Sequence, residues 1–232
     1  MKIAFLGDSI TEGVHGYSYI KLLEALDSDL EISNFGKGGA TVSSLNKSMK
    51  KIDNLQDFDL IFLFIGINDI LGKMSWVYKI IKMLDKQPVA KSLAAFKSYY
   101  VDTLDYLEET KTKIVVIPPL LIGEDINNKW NKQVTELVNI IESALKSYPK
   151  IDYINIRKEF VEYLETKVIG DYIPIKAIDI KNDGDDMRNG KNVDEISEKR
   201  ALHITIDGVH LNTLSAEMIA NSIQKYLDEY NK

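Results

Sequence analysis

Lys2-Ile3-Ala4-Phe5-Leu6-Gly7-Asp8-Ser9-Ile10-Thr11 opens the chain with an apolar run that breaks into a glycine, an acid and two hydroxyl residues flanking an isoleucine. Ile3 to Leu6 shows no polar alternation, which suits a strand buried on both faces of a parallel sheet. Leu60 to Ile65, Ile114 to Ile117 and Tyr153 to Ile156 read the same way, and the weaker alternating run Leu30 to Phe35 reads as a fifth strand. Helical periodicity fills the intervals: Tyr19 to Leu26 behind Ser18, Val89 to Leu107, Val134 to Leu145 through Leu137, Ile141 and Leu145, and Leu214 to Leu227 through Ile219, Ile223 and Leu227. Strands alternating with helices predict βαβ units, a parallel sheet and a three-layer α/β fold, with ligands beyond the carboxyl ends of the strands.

At 232 residues the chain can bury a sizeable core within one α/β domain, so residues 1–232 are expected to form a single catalytic domain. It has no cysteine, which excludes a disulfide framework, a thiolate nucleophile and Cys-ligated metal, and its three histidines are too few for most zinc sites. The expectation is therefore no cofactor and no metal. The amino-terminal apolar run reaches Gly7 and Asp8 before it resembles a signal peptide, and no stretch has the length of a membrane span, so a cytoplasmic address is expected. A net charge of -6, from 29 basic and 35 acidic residues, disfavours nucleic acid as a partner. Lys47, Lys50 and Lys51 read as a solvated helix face.

Two stretches fit the alternation poorly. Residues 72–88 carry Trp76, Tyr78, Ile80, Ile81, Met83 and Leu84 straight after a strand end, as either a lid helix or a long connection packed on the core. Residues 170–201 form a polar, turn-rich insertion containing Asn182-Asp183-Gly184-Asp185-Asp186 and Arg188-Asn189-Gly190. It is long for a structureless loop, so it either folds into small strands or moves. Its acids lack the closing glutamate and flanking helices of a calcium loop, and read as a solvated turn.

Chemistry gathers at the two ends of the chain. Ser9 follows the first strand, where the chain must turn into a helix whose first N–H groups can face an anion. Taken alone, Ser9 or Thr11 reads equally as the cap of that helix. Asp207-Gly208-Val209-His210 alters the balance: the carboxylate can hold Nδ1 of His210 and leave Nε2 to take a proton from Ser9. An imidazole, with an ordinary pKa of about 6.5, suits that duty near neutral pH. Asn212 or Thr213 can cap the following helix at the same time. Gly39, after the second strand, permits close backbone approach and an exposed N–H, while Asn68, after the third, can aim its side-chain amide over the same edge. A tight turn and an Asx-type loop bond explain each of these separately, but not their joint placement. His15 and His203 are rival bases without a positioned carboxylate; His15 lies between Gly13 and Gly16, and His203 reads as structural or pocket-lining.

These blocks, in this order, resemble the SGNH-hydrolase superfamily, the GDSL esterases and lipases, along nearly the whole chain. Gly7-Asp8-Ser9 resembles its nucleophile block, Gly39 and Asn68 match its two oxyanion donors, and Asp207 and His210 match its final block. The resemblance implies a flavodoxin-like α/β/α sandwich with a five-stranded parallel sheet of order 2-1-3-4-5, and a serine esterase working through an acyl-enzyme. Gly38 departs from it, standing where members often carry a serine. The expected substrate is a small-molecule ester, preferably a short-acyl or acetyl ester of a small polar molecule such as a sugar. Longer acyl chains, as in a lysophospholipase or thioesterase, transfer to an acceptor alcohol, and a catalytically silent binding module on the same fold are the alternatives. A metal-dependent phosphodiesterase is disfavoured, because neither a metal-ligand spacing nor a phosphate-cradling glycine loop is present.

Overall fold

The computed structural model describes residues 1–170, 172–173 and 192–232. Its centre is a five-stranded, all-parallel sheet of order β2-β1-β3-β4-β5, formed by β1 (Lys2–Gly7), β2 (Glu31–Gly36), β3 (Leu60–Phe64), β4 (Lys113–Ile117) and β5 (Asp152–Tyr153). The order is the one the family resemblance implies. Strands β1, β3 and β4 are buried almost end to end, as their unbroken apolar runs require, whereas the edge strand β2 is only half-buried. Phe5 and Phe62 stack across β1 and β3 at 4.8 Å between ring centroids, and Tyr19 meets Phe5 edge-on at 5.9 Å.

Parallel neighbours need crossovers, and helices supply them. They are α1 (Ser9–Glu12), α2 (Tyr19–Leu26), α3 (Val42–Met49), α4 (Ile67–Met74), α5 (Trp76–Leu84), α6 (Leu93–Glu109), α7 (Lys129–Leu145), α8 (Ile156–Leu164), α9 (Val193–Lys199) and α10 (Thr213–Tyr230). Helix α10 packs on α2 and α8, while α6 packs between α3 and α7. The caps explain the starts: Ser18, Thr41, Ser92, Asn128, Asn155 and Asn212 each accept a backbone N–H from the first turn that follows.

Three local expectations are corrected. The run Tyr153 to Ile156 is strand only as far as Tyr153, because Asn155 caps α8 at Lys158 N–H and turns Ile156 into a helix. Helix α6 starts at Leu93 rather than Val89, after the Ser92 cap. Asn68 lies in the first turn of α4 and not in a loop. Residues 76–84 do form a helix, and the return from the 170–201 insertion is α9; the Asn182 and Arg188 turns lie outside the described residues.

Strand register places the site. Gly7 is level with Gly36 on one side and Phe64 on the other, and Phe64 is level with Ile117. The chain therefore leaves four strands at one height, and Ser9, Gly39 and Asn68 follow within a few residues of that edge. Among the described residues no helix is long and apolar enough to cross a membrane.

Candidate active site

Gly7 ends β1 in a space that admits no side chain, since a Cβ there would approach the Phe64 carbonyl oxygen to 2.8 Å and collide with Thr11. Asp8 is the cap of α1, accepting the N–H of Ile10 at 3.1 Å. With capping done by Asp8, the Ser9 hydroxyl is turned elsewhere: its Oγ lies 2.9 Å from His210 Nε2, across 201 positions of sequence. The other ring nitrogen, Nδ1, is 2.6 Å from Asp207 Oδ2. All three groups are buried.

The loop carrying the pair is folded on itself. Asp207 Oδ1 accepts the N–H groups of Val209 and His210 at 2.9 and 2.8 Å, and Ile206 N–H donates to the His210 carbonyl at 2.9 Å. Burial alone would raise the Asp207 carboxyl, but the His210 charge and these hydrogen bonds more than offset it and hold the acid below its usual 3.8. Asp207 is thus ionised wherever the site works.

Glu124, which sequence reading did not single out, anchors this loop from outside. Its buried carboxylate accepts the N–H groups of His203, Ile204 and Thr205 at 2.8, 2.9 and 2.9 Å and the Thr205 hydroxyl at 2.8 Å. No local signal marks it, since Glu124 follows Gly123 in the loop beyond β4 and its partners lie some 80 positions further along the chain. His203 itself turns Nε2 toward the Val168 carbonyl at 3.0 Å, and His15 lies with its ring 5.5 Å from that of His210.

Gly39 and Asn68 complete the constellation. Gly39 has φ of 75°, a left-handed conformation, and a Cβ there would collide with Gln87 Oε1 and come within 2.9 Å of Lys82 Nζ. Asn68 is buried; its Oδ1 accepts from Lys82 Nζ at 2.7 Å, which leaves its Nδ2 facing the Asp8 side, where it eases ionisation of that carboxyl. Among the described residues Nδ2 meets no acceptor within hydrogen-bond distance, so the amide N–H groups can turn to an anionic oxygen. Replacing Asn68 by alanine is expected to lower kcat by about 100- to 1000-fold with little change in KM. An unchanged kcat on an activated ester would remove Asn68 from the site.

Asp69, beside Asn68, ties three loops together by accepting Val42 N–H at 2.9 Å and Ala90 N–H at 3.2 Å. Burial raises both Asp8 and Asp69 from 3.8 to about 6. A folded-state pKa above the unfolded one means that the fold binds these protons more tightly. The stabilisation is therefore full below pH 3.8 and lost as pH rises through about 6. Each group should make the protein less stable at pH 8 than at acid pH by about 2–3 kcal/mol. Melting curves of wild type and Asp8→Asn against pH check this: the variant should lose part of the slope between about pH 4 and 6, and equal slopes would refute it.

Two cavities flank α5. One, of about 860 Å³, is lined by Ile80, Met83, Pro88 and Val89 with Lys79 and Lys82; the other, of about 600 Å³, lies beside Gly72, Met74 and Trp76. Neither is lined by Ser9. Among the described residues no group of three or more His, Asp or Glu side chains is disposed to hold a metal.

A comparison with family sequence patterns matches residues 3–223 to the GDSL-like Lipase/Acylhydrolase family. The chain belongs to that family and is a carboxylic ester hydrolase of the serine esterase class. Among curated proteins none matches. Among solved structures, the acetyl xylan esterase AlAXEase superposes with a TM-score of 0.66 at 21% identity, covering 97% of this chain and 99% of that one. A catalytic mutant of Axe2, an acetylxylan esterase from Geobacillus stearothermophilus, gives 0.66 at 16% over 97% and 92%. An α/β hydrolase enzyme from the metagenome of Lake Arreo, Spain, gives 0.65 at 17% over 97% and 93%. Likeness at these identities bears on the fold.

Proposed function

We propose that residues 1–232 form one hydrolase domain in which Ser9, His210 and Asp207 are the nucleophile, base and orienting acid, acting on short-acyl, above all acetyl, esters of small polar molecules such as sugars. The observation that carries this is the unbroken relay of 2.9 Å from Ser9 Oγ to His210 Nε2 and 2.6 Å from His210 Nδ1 to Asp207. Ser9 Oγ attacks the ester carbonyl and its proton passes to His210 Nε2. The charge formed on the carbonyl oxygen meets the N–H groups of Ser9 and Gly39 and the Asn68 amide. His210 then protonates the departing alcohol as the C–O bond breaks. Water, losing a proton to the same nitrogen, releases the acid and returns Ser9. The mechanism needs no cofactor.

The sugar-ester preference draws on the acetyl xylan esterases among the structural neighbours, each covered nearly end to end. One observation favours a second reading: the apolar cavity beside Ile80 and Met83 could receive a longer acyl chain. A cytoplasmic setting without nucleic acid as partner completes the proposal, the negative net charge supporting the second of these.

A panel of p-nitrophenyl esters of increasing chain length, run beside acetylated xylo-oligosaccharides and a lysophospholipid, tests the preference. The acetyl compounds should give the highest kcat/KM. A kcat/KM that climbs with chain length would transfer the assignment to a long-acyl hydrolase. Inertness to all of them, with no fluorophosphonate adduct at Ser9, would make the chain a binding module.

A further inference from the structure

Helix α5 turns Trp76, Met83 and Leu84 outward, at 74%, 69% and 71% exposure, yet the lysine in its last turn, Lys82, is only 6% exposed. The Lys82 ammonium donates to the Gly39 carbonyl and, at 2.7 Å, to Asn68 Oδ1. Five residues on, Gln87 Nε2 donates to the Gly38 carbonyl at 2.7 Å. Lys82 therefore grips both Gly39 and Asn68, and Gln87 grips the peptide that carries the Gly39 N–H.

The grips have a directional consequence. An ammonium can only donate, so it selects the oxygen of the Asn68 amide and turns Nδ2 the other way. The Gly38 carbonyl and the Gly39 N–H belong to one planar trans peptide and point in opposite directions, so holding that carbonyl on one side aims the N–H to the other. The same segment is pinned in place: the Pro88 carbonyl accepts from the hydroxyls of Thr41 and Ser43, both at 2.8 Å, and Ala90 N–H reaches Asp69.

We propose that Lys82 and Gln87 are positioning residues that orient the two oxyanion donors, Asn68 Nδ2 and Gly39 N–H, for the hydrolysis assigned above, which rests on Ser9 being the nucleophile. They stand in for a local side chain at position 38, where this chain has glycine. Burial lowers the Lys82 pKa to about 8, against the opposing pull of Asp8 from the β1–α1 turn, Asp69 from α4 and Asp85 at the end of α5, with Lys73 acting in turn on Asp69. Once deprotonated, the amine can accept as well as donate, and the Asn68 amide loses its fixed sense.

Lys82→Met should lower kcat on p-nitrophenyl acetate by about 10- to 100-fold, the loss of a misaligned rather than a deleted donor, with KM within about threefold. In an Asn68→Ala background the same change should cost less than about threefold, because its effect passes through the amide. Wild-type kcat should decline above about pH 8 and that of Lys82→Met should not, and Gln87→Leu should lower kcat through Gly39 even in the Asn68→Ala background. Because the chain has no cysteine, Lys82→Cys can be alkylated at that position alone. Aminoethylation, which restores an ammonium, should recover most of the rate, and carbamidomethylation of similar bulk should not. That pair settles the matter should Lys82→Met fail to fold. Wild-type kcat in folded Lys82→Met, full additivity with Asn68→Ala, or equal rates from the two alkylated forms would overturn the positioning role. Ser9→Ala run alongside separates the two layers: turnover in that variant refutes the nucleophile itself, whereas a dead Ser9→Ala with an unimpaired Lys82→Met refutes only the positioning.

Discussion

Ser9→Ala is expected to abolish turnover, lowering kcat by about 10⁴- to 10⁶-fold, while leaving the circular dichroism spectrum and melting temperature near those of the wild type. The hydroxyl lies within hydrogen-bond reach of the ring of His210, at 2.9 Å, and the oxygens beside it are spent on other partners. Thr11 is committed to Tyr19, whose hydroxyl donates to Thr11 Oγ1 at 3.2 Å, and Asp8 is committed to the Ile10 N–H. The fold should not notice the change, because α1 is capped by Asp8 rather than by Ser9. A fluorophosphonate probe should label the wild type once and the variant not at all. Full esterase activity in purified Ser9→Ala would end the serine mechanism for this chain.

His210→Ala should be nearly as severe, about 10⁴-fold or more in kcat, and the comparison with His15→Ala and His203→Ala is what makes it decisive. Each of the three histidines has some claim by position, but only His210 has one ring nitrogen on Ser9 and the other on a buried carboxylate. His203 spends Nε2 on the Val168 carbonyl, so its loss should change kcat less than about fivefold, through the anchored segment alone. His15 lies against the His210 ring, and its removal should act mainly on KM. A large kcat loss in His15→Ala with an active His210→Ala would reverse the assignment of the base.

How much of this was written legibly in the chain depends on the range of each interaction. The strands announced themselves because a doubly buried strand has no choice but to be apolar throughout, and four of the five runs were right to within about a residue at each end. The fifth failed at Asn155, a short polar residue that could have been read as a helix cap in front of Ile156. Helix α4 was readable too, with Ile67, Ile70, Leu71 and Met74 at helical spacing directly behind Phe64, but the loop reading of Gly66-Ile67-Asn68-Asp69 hid it. Lys82, Gln87 and Glu124 were not readable. A lysine in an amphipathic helix reads as a solvated charge, and only the fold brings its nitrogen to Gly39 and Asn68. Glu124 stands 79 residues before its first partner, a separation at which periodicity carries no information.

The four bonds accepted by Glu124 have an evolutionary corollary. They fasten residues 203–205 to the loop between β4 and α7, and Asp194 and Ser197 secure the returning helix α9 through Thr213 N–H and the Thr205 carbonyl. The segment that leads into the imidazole is thereby held at both of its ends by bonds that do not involve the imidazole itself. In a lineage, or a directed-evolution library, residue 124 should accordingly be sharply intolerant of change although it touches no reacting atom.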